Sequence, residues 1–279
     1  MALVKACDIM KMADQGGYAA IGFDAFNLES IMYIIETAEE LNTPVIVMIY
    51  PAMKANMPYS TFAAVTKDLA EKASVPVGLM LDHGPDFEDA MAAAAAGFTS
   101  IMIDYSHLEY EDNVRLTREV VKTCHALGID VEGELGHVGI AANEADYTDS
   151  KNFTEVDKAL DYLERTQVDA LAVSIGTAHG NYISAPNLDM ERLKEINAVT
   201  DIPLVLHGGT GVPEDQIREA VSLGINKLNM ATGYNLKMYD AMKRYIVEGK
   251  GRPRATDLLL GTKEEIKDYI RHAMKLARP

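Results

Sequence analysis

Apolar residues along this chain fall into two alternating patterns. Short runs rich in Val, Ile and Leu, apolar on both faces, read as buried strands; longer stretches with apolar positions at helical spacing follow each of them. The runs occupy residues 19–23, 44–50, 76–82, 99–104, 129–134, 169–175, 202–208 and 225–230. Punctuation between them is chemically sensible. Asp86 is placed to cap a helix that Gly97 ends, and Pro213 falls in a first turn with Glu214 and Asp215, closed by Gly224. Three strands open at or just after Pro44, Pro76 and Pro203, where a preceding helix has to stop.

Eight strand–helix units in about 230 residues predict a (β/α)8 TIM barrel. A doubly wound open sheet makes the same alternation, but the even spacing and the lack of a GxGxxG turn after the first strand favour the barrel. An extra N-terminal helix at about residues 3–15 and a C-terminal helix at about 263–277 would cover its ends. Nothing in residues 1–279 marks a linker, so one barrel domain is expected.

Charge narrows the partners. Lys and Arg total 26 against 42 Asp and Glu, a formal net charge of −16, which offers no footprint for nucleic acid or an anionic membrane. Cys7 and Cys124 make neither a disulfide framework nor a metal-type pair. The opening MALVKACDIMKMADQGG interrupts its apolar residues with Lys5, Asp8 and Lys11, unlike a signal peptide, and no run is long enough to span a bilayer. A cytoplasmic location is expected.

Active sites of such barrels lie at the C-terminal strand ends. Those ends carry Asp82 and His83, Asp104, Glu134, His207 and Asn229, with His179 a few residues past strand six. One histidine after a strand is more often a loop residue than a ligand. Three on one barrel face, each beside a glycine, suit zinc with an open position for substrate. His125 and His272 read as solvated helix residues, and His107 and His137 as mouth-loop residues behind the ligands. The segment HGGTG joins a strand to a helix and offers backbone N–H groups to a phosphate, with NMATG supplying Asn and Thr beside it. At period two, Glu132 lies on the face of Glu134 and would point into the barrel, where Lys227 is its natural counterion.

Taken together, LDHG, GFTSIMIDYSH, VEGELG, VSIGTAHGNY, PLVLHGGTGVP and INKLNMAT resemble the zinc-dependent class II fructose-bisphosphate and tagatose-bisphosphate aldolases over nearly the whole chain. The resemblance implies Zn2+ on His83, His179 and His207, a second metal position at Asp104 and Glu134, and Asp82 as the residue that moves the hydroxyl proton. It also implies dihydroxyacetone phosphate contacts at Gly180, Gly208, Gly209, Thr210, Asn229, Met230, Ala231 and Thr232, a monovalent cation (Na+ or K+), and a homodimer or homotetramer. The implied substrate is a small-molecule sugar phosphate, a ketose (bis)phosphate cleaved by retro-aldol chemistry.

The chain departs from the family pattern in three places. Tyr105 stands where MIDGSH has Gly and would add bulk at a mouth loop, and Tyr50 lies near the place of the Ser that helps hold a distal phosphate in the family. The loop VGIAANEADY lacks the usual GGxED, leaving Glu144 as its nearest acid–base carboxylate. Arg252 and Arg254 of KGRPR are the cations that could serve a distal phosphate in place of local ones. Two other classes use the same residues: a metal-dependent isomerase or epimerase, and a non-catalytic sugar-phosphate-binding subunit.

Overall fold

The computed structural model describes residues 3–249 and 254–278. Its strands are β1 (Ala20–Asp24), β2 (Val45–Ile49), β3 (Val77–Gly84), β4 (Ser100–Ile103), β5 (Asp130–Leu135), β6 (Ala170–Val173), β7 (Leu204–Leu206) and β8 (Ile225–Met230). Its helices are α1 (Ala6–Gly16), α2 (Leu28–Glu40), α3 (Tyr59–Lys72), α4 (Phe87–Ala96), α5 (Tyr110–Ala126), α6 (Ala145–Thr148), α7 (Val156–Thr166), α8 (Met190–Ala198), α9 (Glu214–Ser222), α10 (Thr232–Glu248) and α11 (Ala255–Leu276). Each strand pairs in parallel with the next and β8 returns to β1, so the sheet closes into a barrel. Closure excludes the open doubly wound sheet.

All eight predicted strands are present. Both faces of each strand are buried, because helices cover the outside and side chains fill the inside. The outer apolar layer includes Ile31, Ile34, Phe62, Val120, Leu193 and Ile217 from the helices. The lower interior is Met-rich: Met48, Met80 and Met102 meet Ile9, Met10 and Ala13 of α1, which plugs the N-terminal end. No side-chain cap serves the start of α1, but Ala6 N–H donates to Ser100 Oγ at 2.7 Å and Cys7 N–H to Asp130 Oδ2 at 2.8 Å. The plug is therefore fastened by the first residues of β4 and β5.

Three expectations shift. Asp86 caps α4 through Asp89 N–H and Gly97 ends it at φ +97°, as expected, but Pro213 is the N-cap of α9 rather than a residue of its first turn. The C-terminal helix begins at Ala255, a full two turns early, where Asp257 and Arg254 cap one another. Tyr105 is buried in the outer apolar layer among α4 and α5, so it adds no bulk to the mouth. It sits one residue beyond the Asp104 that follows β4, and alternation turns it outward. Among the described residues, no helix is long and apolar enough to cross a membrane. Met1, Ala2 and Arg252 lie outside the described residues.

Candidate active site

Gly22, Asp24, Met48, Met80, Asp82, Glu132, Glu134, Lys227 and Asn229 follow the period-two inward face of their strands. A Cβ on Gly22 would come 2.7 Å from Met48 Sδ and 3.2 Å from Lys227 Cε. The missing side chain is thus the space through which the Lys227 stem crosses the barrel. Its ammonium reaches Glu132 Oε2 at 2.7 Å, and both groups are at most 1% exposed. This is the ion pair expected from the sequence. The other oxygen, Oε1, accepts from His207 Nε2 at 2.9 Å, a link the sequence did not announce.

The three candidate ligand histidines converge. Their nitrogens lie within 4.8 Å of one another, and ring centroids are 4.8, 4.7 and 5.8 Å apart. His83 stands at φ +46° beside a register shift in β3, and such a left-handed backbone on a non-glycine residue costs about 1–3 kcal/mol. The bulge turns its ring across the mouth instead of leaving it on the outer face. Gly208 follows His207 at φ +68°, and a Cβ there would fall 2.4 Å from the Ala178 carbonyl oxygen. Only glycine lets the loops after β6 and β7 approach this closely. Tyr182 Oη pins the same two loops, accepting from Ala178 N–H at 2.8 Å and donating to the Gly208 carbonyl at 2.9 Å.

Each imidazole has one nitrogen committed to an oxygen. His83 Nδ1 meets Asp104 Oδ2 at 2.8 Å, His179 Nδ1 meets the Val138 carbonyl at 3.2 Å, and His207 Nε2 meets Glu132. Donation at those nitrogens leaves lone pairs on His83 Nε2, His179 Nε2 and His207 Nδ1. His83 Nε2 and His207 Nδ1 face each other at 2.9 Å, and the buried His179 Nε2 has no hydrogen-bond partner. A proton on His83 Nε2 satisfies the facing pair; a metal cation would satisfy that pair and the orphaned His179 Nε2 together. An N3 set with its opposite nitrogens fixed by carboxylate and carbonyl oxygens fits zinc. Glu134 Oε2 is also buried without a hydrogen-bond partner, 3.7 Å from His207 Nδ1, and His83, Asp104 and Glu134 form a second group with ligand atoms within 4.8 Å.

Electrostatics agree with a demand for positive charge. Burial pushes His179 down to about 4, and burial above all holds His207 well below its ordinary value. Burial opposes charge on His83 too, but Asp82, Asp104 and Glu134 outweigh it and hold its pKa at about 10. Burial, then the Asp104 charge, pushes Glu134 up to about 8. On Asp82, burial is outweighed by His83, His207 and Lys227, so its carboxyl stays below the ordinary range. Asn229 Nδ2 donates to Asp82 Oδ1 at 2.9 Å.

Comparison with known proteins decides the family. The model of class-II fructose-bisphosphate aldolases matches residues 4–278. The chain belongs to that family. Aldolase, a carbon–carbon lyase, is therefore its enzyme class. The YdjI aldolase of Escherichia coli K12 has a similar structure, with a TM-score of 0.88, 33% identity and coverage of 99% of this chain and 97% of that one. The fructose-bisphosphate aldolase of Campylobacter jejuni superposes with a TM-score of 0.83 over 99% and 95% of the two chains; at 24% identity this likeness shows the fold.

Other sequence-selected residues of this class II aldolase fall as follows. The loops carrying Gly208–Gly209–Thr210 and Met230–Ala231–Thr232 are tied together, with Gly233 N–H donating to Thr210 Oγ1 at 3.0 Å. Gly180 takes φ +110° in the loop after β6. Glu144 is exposed at the start of α6 and accepts from Ser184 Oγ at 2.8 Å, outside the imidazole cluster. His137 Nδ1 lies 3.4 Å from Ser106 Oγ, and Ser106 N–H donates to Asp104 Oδ1 at 2.9 Å, so His137 stands behind a ligand partner. His107 is exposed. His125 and His272 are exposed helix residues as expected, each paired with a carboxylate, Asp169 and Glu214 respectively.

One residue of the mouth escaped the sequence reading. Asp24 ends β1, is 1% exposed, and neither carboxylate oxygen has a hydrogen-bond donor. The predicted strand stopped at Phe23. Counting one residue further, on the inward period of Gly22, would have found it.

Proposed function

We propose that this aldolase is zinc-dependent and cleaves a ketose phosphate to dihydroxyacetone phosphate and an aldehyde. The observation that carries the reading is the set of three imidazoles whose far nitrogens are each fixed by an oxygen, beside an ionised, amide-held Asp82. His83, His179 and His207 would hold the metal. Bound zinc supplies Lewis acidity toward the oxygens of the triose fragment, worth several kcal/mol in the transition state.

Asp82 takes the proton of the hydroxyl beside the scissile bond. The hydroxyl O–H breaks, its electrons become the aldehyde C=O, and the carbon–carbon bond electrons stay on the triose fragment. In condensation Asp82 returns the proton. Asn229 holds Asp82 oriented throughout. Glu144 would exchange the carbon-bound proton of the triose fragment, which requires it to leave Ser184. Gly180, Gly208 to Thr210 and Asn229 to Thr232 would seat the triose phosphate on backbone N–H groups and short polar side chains. Lys227 is committed to Glu132 below the mouth, so no Schiff-base lysine takes part.

The aldehyde end supports a weaker demand for a second phosphate. Tyr50 is half-buried near Asp24, whose charge adds to burial in raising the phenol. Lys54, next along the loop, is paired with Asp89 at 2.6 Å, and Arg254 with Asp257 at 2.9 Å. A phosphate needs uncommitted cationic or clustered N–H donors. A dimer or tetramer of identical chains belongs to the same proposal.

The test is metal analysis joined to a cleavage screen over ketose mono- and bisphosphates. Stoichiometric zinc with release of triose phosphate is expected. An epimer without triose would make the protein an isomerase or epimerase, and bound zinc without turnover a binding subunit.

A further inference from the structure

Three loops of the mouth meet at one side chain. Tyr182 lies in the loop after β6, and its hydroxyl is committed as both acceptor and donor. It accepts from Ala178 N–H at 2.8 Å and donates to the Gly208 carbonyl at 2.9 Å. Ala178 immediately precedes His179, and Gly208 immediately follows His207. One phenol thus spans the backbones that carry two of the three candidate zinc ligands. The approach has little slack, since a Cβ on Gly208 would fall 2.4 Å from the Ala178 carbonyl oxygen. The ring meets the phosphate loop as well. Gly211, which closes HGGTG at φ +86°, lies against it, and a Cβ there would come 3.2 Å from Tyr182 Cδ2. Tyr147 of α6 packs on the same ring at 86°, with centroids 5.0 Å apart. That helix belongs to the loop after β5, which clasps His179 by its backbone: His179 N–H donates to the Gly139 carbonyl at 2.8 Å, and Ala141 N–H to the His179 carbonyl at 2.9 Å.

We infer that Tyr182 is a positioning residue for the metal and phosphate sites: its hydroxyl sets the separation of the His179 and His207 loops, and its ring holds the HGGTG loop in register with them. Ala178 offers a donor and Gly208 an acceptor, and one O–H answers both. Both residues are buried, so without the hydroxyl these two backbone groups lose a partner that water does not replace. The two loops then lose the tie that stands next to their imidazoles. His83 comes from β3 and lies outside this tie. The inference rests on the zinc aldolase reading for what the loops hold; the clamp itself is a matter of distances.

The test is Tyr182→Phe, which keeps the ring and removes only the hydroxyl. Its control is Tyr33→Phe, which removes a hydroxyl bonded at 2.9 Å to the Leu259 carbonyl, between α2 and α11. Circular dichroism confirms the fold of each, and zinc is titrated against a chromogenic chelator. Tyr182→Phe should bind zinc ~10–100-fold more weakly than the parent, the range for losing a group that orients metal ligands. Tyr33→Phe should match the parent. Unchanged affinity in Tyr182→Phe, or an equal loss in Tyr33→Phe, overturns the assignment.

Melting gives a second readout that needs no activity. A merely structural hydroxyl would lower Tm equally with and without metal. A positioning hydroxyl matters more when zinc is bound, so the rise in Tm at one fixed free zinc concentration should shrink by about 3–10 °C, which is that affinity loss carried through linkage. An equal rise in parent and Tyr182→Phe refutes the inference. With zinc saturating, the loss of activity should lie in KM for the ketose phosphate rather than in kcat, because the phosphate loop holds a part of the substrate that does not react. A fall confined to kcat overturns the role at the phosphate loop. If the parent holds zinc but cleaves no ketose phosphate, the aldolase reading fails while the titration and the melting still decide the role of Tyr182.

Discussion

Replacing Lys227 by Met should destabilise the barrel severely, although it keeps most of the side-chain volume. The Lys227 stem fills the space above Gly22, so Met preserves packing there. What is lost is the ammonium 2.7 Å from Glu132 Oε2, in a pair that is 0% and 1% exposed. Glu132 then keeps the bond to His207, which burial holds neutral. Breaking a buried pair from one side costs about 3–5 kcal/mol, because the surviving charge is left uncompensated. At about 2–4 °C per kcal/mol for a domain near this size, Tm should fall by ~10 °C. The assay is thermal unfolding of the metal-free protein, followed by circular dichroism at pH 7. The double variant Lys227→Met with Glu132→Gln removes both charges and should recover more than half of the loss; that non-additivity isolates the pair from the packing change. A Lys227→Met protein within about 1 kcal/mol of the parent, near the error of such comparisons, would refute the uncompensated-charge argument.

The other expectations concern the mouth. Glu132→Gln should weaken zinc binding by ~10–100-fold in a competition titration with a chromogenic chelator, since it removes the carboxylate that fixes the His207 ring; unchanged affinity would separate Glu132 from the metal. Chelation, or His207→Ala, should abolish cleavage while circular dichroism stays barrel-like, and full activity without metal would end the zinc assignment. Asp82→Ala should lower kcat by ~10²–10⁴-fold with zinc still bound, the span for a positioned acid–base group; parental turnover would reassign the proton transfer. For a ketose 1-phosphate against the matching 1,6-bisphosphate, kcat/KM should differ by less than ~10³-fold, equivalent to about 4 kcal/mol. A larger preference would reveal a distal phosphate site served by residues other than Tyr50.

Some of this molecule is written locally. The alternation of apolar runs and helical patterns, the capping Asp86 and the helix-ending Gly97 specify eight strand–helix units without reference to anything distant. Period two along β5 and β8 was enough to pair Glu132 with Lys227, because inward residues of a closed barrel have nowhere else to find a counterion. The histidines could be assigned to the mouth because strand ends in a parallel barrel share one rim. Which nitrogen each imidazole leaves free was not legible. That depends on Asp104, the Val138 carbonyl and Glu132, the last 75 positions from His207, and only closure of the sheet brings them together. Tyr105 and Asp24 lie at or just beyond their strand ends, and there one residue of slip exchanges the mouth for the outer layer. The bond from Asn229 to Asp82 likewise joins different strands, across 147 positions. Local periodicity sets which face a side chain takes. Only the closed barrel sets which opposing side chain it meets, and in a buried mouth that meeting determines the charge each group can carry.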